Sequence, residues 1–365
     1  MDLDVVGSDQ LTSLLNTWNQ YIRTSEIERA EQVRKNVQNK LSSIEENQSK
    51  FIDYLLLEFR HQLLQKNSEE ITSLLPKVES YQTEMDGLQT FYFFFLKGIY
   101  LYNTRNYEAA LENYELAEKK LSFVSDDVER AEFYYKLASV YCELGQSFLS
   151  ATHAKTAFDL FQKNNEFLKR SSHCELLLGL NCVEMKQFEQ AEVQFHSALN
   201  YANKTEDVNL KSHIYHNLGY LYAEQNLSDA AVRYLKLALE NQDHENYVAA
   251  LYLLTREQFK LKNVEQATKN CSKGIELCTR ENNIEYLTHF KLLNALNSEL
   301  TENFEITFKE GISYFVKEKL WVYVQEYAEY LADFYNKLER YKEACHYFDL
   351  SIKSRKEIFE KEALK

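Results

Sequence analysis

Apolar residues recur along the chain with helical spacing, and short polar breaks separate one stripe from the next. Near the N-terminus, Leu11, Leu15 and Trp18 follow one another at intervals of four and three residues, which places them on one face of a helix. Patterns of this kind cover residues 11–22, 27–44 and 51–64. Three helices with short connections predict a small bundle over residues 1–66.

Beyond residue 90 the pattern becomes a repeat. Segments beginning at Gly98, Ala138, Gly179 and Gly219 are offset by 40, 41 and 40 residues. Each carries a small residue twelve positions after its start and another seven positions later, and three of the four have a bulky residue between them. The small residues are Ala110 and Ala117, Ser150 and Ala157, Ala191 and Ala198, and Ala231 and Ala238. Small residues let paired helices approach closely, and the bulky residue fills the gap.

This is the pattern of tetratricopeptide repeats, in which no helix pair buries its own apolar face and neighbours must stack. Looser versions continue to the C-terminus, so the sequence predicts about seven helix pairs in residues 90–365. The predicted fold is all-α: an N-terminal three-helix bundle linked to a right-handed tetratricopeptide superhelix. The polar segment 67–89, which contains the single proline, is predicted to be a linker with partial helix and a hinge.

Composition narrows the class of protein. One Pro and eight Gly in 365 residues agree with a mostly helical chain. The net charge of −14 argues against direct binding to nucleic acid and favours either a basic partner or simple solubility. The N-terminus is acidic where a signal peptide is basic, and no stretch approaches the roughly 18 apolar residues of a membrane span. We therefore expect a cytoplasmic protein with no membrane contact.

The cysteines also favour a cytoplasmic location. The six cysteines form no C-x-x-C pair and fall mostly within helical patterns, which predicts buried thiols in a reducing compartment. Cys271 and Cys278 are the closest pair and have no His at ligand spacing, while His213 and His216 alone are weak evidence for a metal. No metal site is predicted.

One polar stretch, SIEENQ, lies at the junction of the second and third bundle helices. It has two interpretations: a solvated helix end in which Glu46 or Asn47 caps the third helix, or a working tip. Gln48 cannot act as an acid or base, and a glutamine that contributes to chemistry usually orients a water. The chain has no GxxxxGK[ST], GxSxG or HExxH motif, so a self-contained enzyme is not expected.

Four stretches carry a resemblance to a known family: EENQ followed by YLLLEFRHQLL, then FYFFFLKGIY, and SFVSDDVERAEFYYKLASVY. Together they resemble the Rap proteins, the response regulator aspartate phosphatases of Bacillus, over nearly the whole chain. The resemblance implies that Gln48 enters a response regulator's active site and orients water for attack on its aspartyl phosphate, with Glu46 helping at the same interface. It also implies that the Mg²⁺ of the reaction belongs to the partner, so this chain needs no cofactor of its own.

The resemblance further implies that the repeats bind a short signalling peptide. Asn181 and Asn217 match positions that clamp the peptide backbone, and Glu184 matches an acidic position that meets the peptide's positive charge. A carboxamide can pair with both an N–H and a C=O of an extended chain. Without the resemblance, the favoured interpretation is that Asn181 and Asn217 are ordinary polar residues on groove-lining helices.

Two other functions stay open at this point. Some family members are implied to act without catalysis, by sequestering the DNA-binding domain of a transcriptional activator. A peptide-sensing transcription factor would require a basic recognition helix near the N-terminus, which the acidic bundle lacks. The sequence names neither the regulator nor the peptide, and it leaves open whether the chain forms a homodimer.

Overall fold

The computed structural model describes residues 2–40, 47–163, 165–298 and 302–362, and within these ranges every regular element is helical. The α-helices are α1 (Asp2–Arg23), α2 (Ile27–Gln38), α3 (Gln48–Leu64), α4 (Ser68–Glu79), α5 (Gly87–Asn103), α6 (Tyr107–Glu118), α7 (Asp127–Glu143), α8 (Ser147–Phe161), α9 (Leu168–Glu184), α10 (Phe188–Lys204), α11 (Val208–Glu224), α12 (Ser228–Ala238), α13 (Tyr247–Lys260), α14 (Val264–Arg280), α15 (Ile284–Asn297), α16 (Glu302–Lys317), α17 (Trp321–Lys337) and α18 (Tyr341–Glu362). Three short 3₁₀ turns lie at Gln82–Glu84, Leu121–Phe123 and Asn165–Phe167. The prediction of an all-α chain is confirmed for the described residues.

The chain divides into two compact units. Unit 1 comprises Met1–Glu143 with Asp159–Phe161, and unit 2 comprises Leu144–Phe158 with Gln162–Lys365. Helices α1 to α3 correspond to the predicted bundle helices, and the helices from α5 onward follow one another as seven successive pairs in the described part of the chain.

The core of unit 1 is built on the apolar stripe of α1. Leu11, Leu15, Trp18 and Ile22 are all buried, as their spacing predicted. They belong to one apolar cluster with residues of α2, α3, α4 and α5. The bundle therefore shares its core with the next two helices of unit 1 and does not bury its apolar faces alone.

A buried polar network ties α1, α2 and α3 together. Trp18 Nε1–H donates to Nδ1 of the fully buried His61 at 3.2 Å. The other imidazole nitrogen lies 3.1 Å from the Glu31 carboxylate. Arg34 completes the network by pairing with Glu58 at 2.7 Å. Trp18, His61 and Glu58 thus each have a polar partner, which is the condition for keeping such groups in a core without a large cost.

Most of the predicted linker is ordered as a helix. Asn67 accepts a hydrogen bond from the backbone N–H of Glu70 at 3.4 Å and caps α4, which continues past Pro76 to Glu79. Ile71 and Val78 of this helix are buried in the core of unit 1. The segment is therefore tied to unit 1 by apolar contacts.

The small and bulky positions of the repeats meet as predicted. A Cβ built on Gly179 would lie 2.3 Å from the ring of Phe195, and one on Gly219 would lie 2.5 Å from Leu235. In unit 1, a Cβ on Gly98 would lie 2.5 Å from Tyr114. These distances are far below ordinary carbon–carbon contact, so only glycine lets the two helices of each pair reach this separation.

Two further contacts of this kind escaped the repeat pattern. Gly274 of α14 faces Phe290 of α15, and Gly311 of α16 faces Leu292. In the second case the small residue lies on the later helix and the bulky one on the earlier helix, the reverse of the preceding pairs. That reversal is one reason why the repeat pattern is looser in the C-terminal part of the chain.

The cysteine prediction is only partly right. Cys174, Cys182, Cys271 and Cys278 are buried free thiols, but Cys142 is half-buried and Cys345 is exposed. Cys345 lies near the start of α18, the last helix that the structure describes, which leaves part of its surface in solvent. Among the described residues, no helix is both long and apolar enough to cross a membrane.

Candidate functional site

The tip stretch resolves into a helix cap followed by an exposed glutamine. Asn47 has an extended backbone, with φ −115° and ψ 100°, and its side chain accepts a hydrogen bond from the Lys50 backbone N–H at 3.1 Å. The interpretation of Asn47 as a cap of the third helix is therefore confirmed. Gln48 is the first residue of α3 and is exposed. Glu46, the other predicted tip residue, lies outside the described residues.

The Gln48 side chain is held at the surface by one neighbour. Its Nε2–H₂ group donates to the carboxylate of Glu84, in the 3₁₀ turn that follows α4. The nearby Lys50 ammonium is engaged elsewhere, with Thr12 Oγ1 at 2.9 Å. The start of α3 thus presents a neutral amide beside the positive end of a helix dipole, a setting suited to an anion or a polarised water.

Asn181 lies on α9 and is fully buried. Its Nδ2–H₂ group donates to Ser150 Oγ at 2.8 Å, while its Oδ1 atom is buried and finds no hydrogen-bond donor among the described residues. A buried acceptor without a donor costs free energy, of the order of 1–3 kcal/mol. This oxygen is the kind of atom that an approaching peptide N–H would satisfy.

Asn217 lies on α11 and is largely buried. It lies two residues before Gly219, whereas Asn181 lies two residues after Gly179. The two carboxamides therefore occupy positions about one helical turn apart in their repeats. The 36-residue separation is close to the repeat length but does not make the positions equivalent.

Glu184 is exposed at the C-terminal end of α9 and accepts a hydrogen bond from the Tyr220 hydroxyl of α11 at 2.8 Å. Burial, together with the Glu184 carboxylate, raises the pKa of Tyr220. This contact brings the predicted acidic residue to the helix that also carries Asn217. The tyrosine that makes this contact, Tyr220, was not among the residues predicted from the sequence.

More charged residues of unit 2 lie near this position. Lys186 pairs with Glu224 of α11 at 3.1 Å. Burial by itself would lower the pKa of Arg256. The carboxylates of Glu257 and Glu224 have the opposite and larger effect, so the pKa of Arg256 is raised above its ordinary value. Burial also raises the pKa of Glu326, against the effect of Arg256. The sequence contains a signal for this cluster. Charged and tyrosine side chains recur 36 to 38 residues apart, as in Glu184 to Tyr220 and Lys186 to Glu224.

No group of three or more His, Cys, Asp and Glu residues in the described ranges is arranged to hold a metal ion. His213 and His244 have ring centroids 4.7 Å apart, and His216 lies 6.2 Å from His244. Burial lowers the pKa of all three imidazoles.

Comparison with known proteins gives matches along nearly the whole chain. Residues 5–66 match the family model described as response regulator aspartate phosphatase H, N terminal, and residues 212–244 match a tetratricopeptide repeat. Response regulator aspartate phosphatase I of Bacillus subtilis is 29% identical over 98% of this chain and 94% of that protein. Regulatory protein RapG of the same organism is 30% identical over 95% of this chain and 96% of its own length.

A solved structure agrees with these sequence matches. The crystal structure of a Rap protein complexed with competence and sporulation factor has a TM-score of 0.83 at 26% identity, covering 97% of this chain and 99% of that one. The N-terminal match, the repeat match and the full-length relatives lead to one conclusion. The chain belongs to the Rap family of response regulator aspartate phosphatases and regulatory proteins.

Proposed function

We propose that this protein binds a phosphorylated response regulator and dephosphorylates its aspartyl phosphate, and that a short peptide bound by the repeats inhibits it. The observation that carries the proposal is the position of Gln48, an exposed glutamine at the first turn of a helix, inside the segment that matches the phosphatase family model. We place this activity in the cytoplasm, with the response regulator as the macromolecular partner.

The chemistry assigned to Gln48 is orientation of a water. An amide can accept one hydrogen of the water through Oε1, which turns an oxygen lone pair toward the phosphorus atom for in-line attack. Gln48 does not remove a proton and forms no bond to phosphorus. The dipole at the start of α3 favours the negative charge of a phosphoryl group nearby.

The remaining components belong to the partner. Mg²⁺ neutralises charge on a transferring phosphoryl group, and we assign that ion to the response regulator. Glu46 is proposed to help at the same interface. The proposal therefore needs no cofactor held by this chain.

The test is a dephosphorylation assay on purified receiver domains phosphorylated with acetyl phosphate. We expect Gln48→Ala to lose at least about 100-fold in rate, since water orientation is the chemistry that the proposal assigns to this chain. Gln20→Ala, at an exposed glutamine of α1, is the matched control and should behave as wild type. Unchanged activity of Gln48→Ala would falsify the catalytic assignment.

The peptide site is proposed around Asn181, Glu184 and Asn217. The buried Asn181 Oδ1 atom has no donor among the described residues, and Glu184 offers a carboxylate to a basic peptide. Because Asn181 is fully buried, a peptide must uncover it, so binding and a change of conformation are coupled. The peptide can inhibit only by preferring one conformer over the other.

Short synthetic peptides with one basic residue, added to the same assay, test this part. An inhibitory peptide should lose its effect on Asn217→Ala while that variant keeps its uninhibited phosphatase rate. Equal inhibition of Asn217→Ala and wild type would remove Asn217 from the peptide site.

A second function, non-catalytic sequestration of an activator's DNA-binding domain, is favoured by one observation. The net charge of −14 attracts the basic surface with which such a domain binds DNA. A gel-shift assay separates the two functions, since sequestration releases DNA from an unphosphorylated activator and proceeds equally well with Gln48→Ala.

A further inference from the structure

The first turn of α3 is braced by the segment that follows α4. The strongest part of this brace is Gln89, which is almost fully buried at 4% exposure. Its Nε2–H₂ group donates to the backbone oxygen of Ser49 at 3.0 Å and to the carboxylate of Asp53 at 2.7 Å. Burial raises the pKa of Asp53, and the hydrogen bond from Gln89 opposes that rise.

Gln89 is itself fixed by a reciprocal helix cap. The Asp86 side chain accepts a hydrogen bond from the Gln89 backbone N–H at 2.8 Å, and the Gln89 side chain accepts one from the Asp86 backbone N–H at 3.2 Å. This is a capping box at the start of α5. The brace is therefore anchored at the helix end next to it.

Aromatic contacts extend the brace toward α4. The Tyr81 ring meets the Phe51 ring edge-on, with centroids 5.7 Å apart. On α4, Lys77 Nζ lies 5.0 Å from the centroid of the same Phe51 ring. Residues 77–89 thus contact α3 at Phe51, Ser49 and Asp53, and these contacts set the position of Glu84 relative to Gln48.

Glu84 determines which way the Gln48 amide faces. An ionised carboxylate only accepts hydrogen bonds, so the amide must turn its Nε2–H₂ group toward Glu84. Its Oε1 atom then faces away from Glu84. That oxygen is the atom that must accept a hydrogen from the attacking water.

We propose that Glu84 is a positioning residue of the phosphatase reaction, which orients the Gln48 amide so that its oxygen is presented to water. This inference rests on the proposed function of Gln48 and adds a second residue to it. Glu84 touches neither the partner's phosphate nor the water; it acts through Gln48. Residues 67–89, which the sequence predicts to be a linker, therefore contribute the residue that positions Gln48.

The experiment compares four variants of the full chain in the dephosphorylation assay on acetyl phosphate-labelled receiver domains. Glu84→Ala removes the acceptor, and we expect kcat to fall about three- to tenfold with KM unchanged. Glu84→Asp keeps a carboxylate that only accepts hydrogen bonds, on a side chain one methylene shorter, and should restore part of the rate. Glu69→Ala removes an exposed carboxylate of α4 and is the matched control. Gln48→Ala sets the baseline.

A second readout needs no partner. The side-chain amide of Gln48 should give a distinct ¹H–¹⁵N resonance, which shifts in Glu84→Ala and returns toward its original position in Glu84→Asp. If Gln48→Ala is inactive, three results for Glu84→Ala overturn the positioning role. These are a wild-type kcat, a change in KM alone, and a rate higher than that of wild type. Full activity of Gln48→Ala overturns the proposed function itself, and the positioning role with it.

Discussion

Asn47 and Gln48 are neighbours in the chain but differ in what their side chains can do. Asn47 has used its carbonyl oxygen on the Lys50 backbone N–H, which is a purely structural task. Gln48, one residue later, bonds to the Glu84 carboxylate through its side-chain nitrogen. An Asn47→Ala substitution therefore weakens the helix start, by about 1 kcal/mol, whereas Gln48→Ala removes a functional group without removing a cap.

A buried histidine of unit 2 makes stability depend on pH. His289 is almost fully buried, and its Nδ1 atom lies 2.8 Å from the Tyr327 hydroxyl. Burial lowers its pKa to about 3, below the value of about 6.5 for an unfolded chain. The unfolded chain then binds the proton more readily, so stability is lost as pH falls from 6.5 toward 3.

We expect the wild-type chain to lose up to about 1.4 kcal/mol per pH unit below pH 6.5 through this residue. His289→Gln can keep a hydrogen bond to Tyr327 but has no proton to gain. The variant should be less stable than wild type at pH 7.5, and the difference in stability between the two proteins, which we call the gap, should be smaller at pH 4.5. Thermal unfolding of both proteins across this range measures it, and a gap that stays constant would rule out His289 as the titrating group.

At the scale of elements, helix pairing depends on single glycines. Placing a methyl group on Gly179 puts it 2.3 Å from Phe195, which is fully buried and has no room to withdraw. We expect Gly179→Ala to destabilise unit 2 by about 1–3 kcal/mol, as overpacking does in other cores. The gain of helix propensity on replacing glycine, about 1 kcal/mol, opposes this and does not cancel it.

The double variant Gly179→Ala/Phe195→Leu tests the cause. If the clash is with the ring, the smaller leucine should recover part of the loss, since Gly219 already packs against Leu235 in the next pair. Urea unfolding followed by circular dichroism gives the midpoints. A double variant whose loss equals the sum of the two single losses would show that the two residues do not interact.

At the scale of the whole molecule, unit 1 is joined by a buried ionic network. Arg60 of α3 pairs with Glu129 of α7 at 3.0 Å and with Glu132 at 3.4 Å. Arg23 of α1 reaches the same Glu129 at 3.2 Å. Burial lowers the pKa of Arg60, but the two glutamates outweigh that effect and the net pKa is raised. The network links the predicted bundle to a helix of the repeats within one unit.

Breaking this network should be costly. In Arg60→Met, Glu129 stays buried and its partner is the partly exposed Arg23. We therefore expect the free energy of unfolding of unit 1 to fall by about 3 kcal/mol. Arg60→Met/Glu129→Met should be more stable than the single variant, because Arg23 can still pair with Asp126 at 2.8 Å. The chain has two tryptophans, and only Trp18 lies in unit 1, so Trp18 fluorescence in a Trp321→Phe background reports on this unit.

A double variant as unstable as Arg60→Met, or less stable, would mean that the loss does not come from an uncompensated buried charge. Glu70→Ala, at an exposed carboxylate of α4, serves as the control for a general effect of charge.

The amino-acid sequence by itself determined the helices, the repeat and the family. Helical spacing of apolar residues survives in the sequence because every helix must bury one face, and the glycine-to-bulky spacing survives because it reflects close approach within a pair. The stripe through Leu11 and Trp18, the capping role of Asn47 and the contact between Gly179 and Phe195 all follow from such local rules.

Only the tertiary structure decided which distant residues meet. Gln48 and Glu84 are 36 residues apart, Arg60 and Glu129 are 69 apart, and Asn181 reaches Ser150 across 31. No periodicity records such pairs, because they depend on how helices pack and on the rotamers that fit between them. Tertiary packing also decided that the polar segment around Pro76, expected to be a linker with partial helix, forms a helix with apolar residues buried in the core of unit 1.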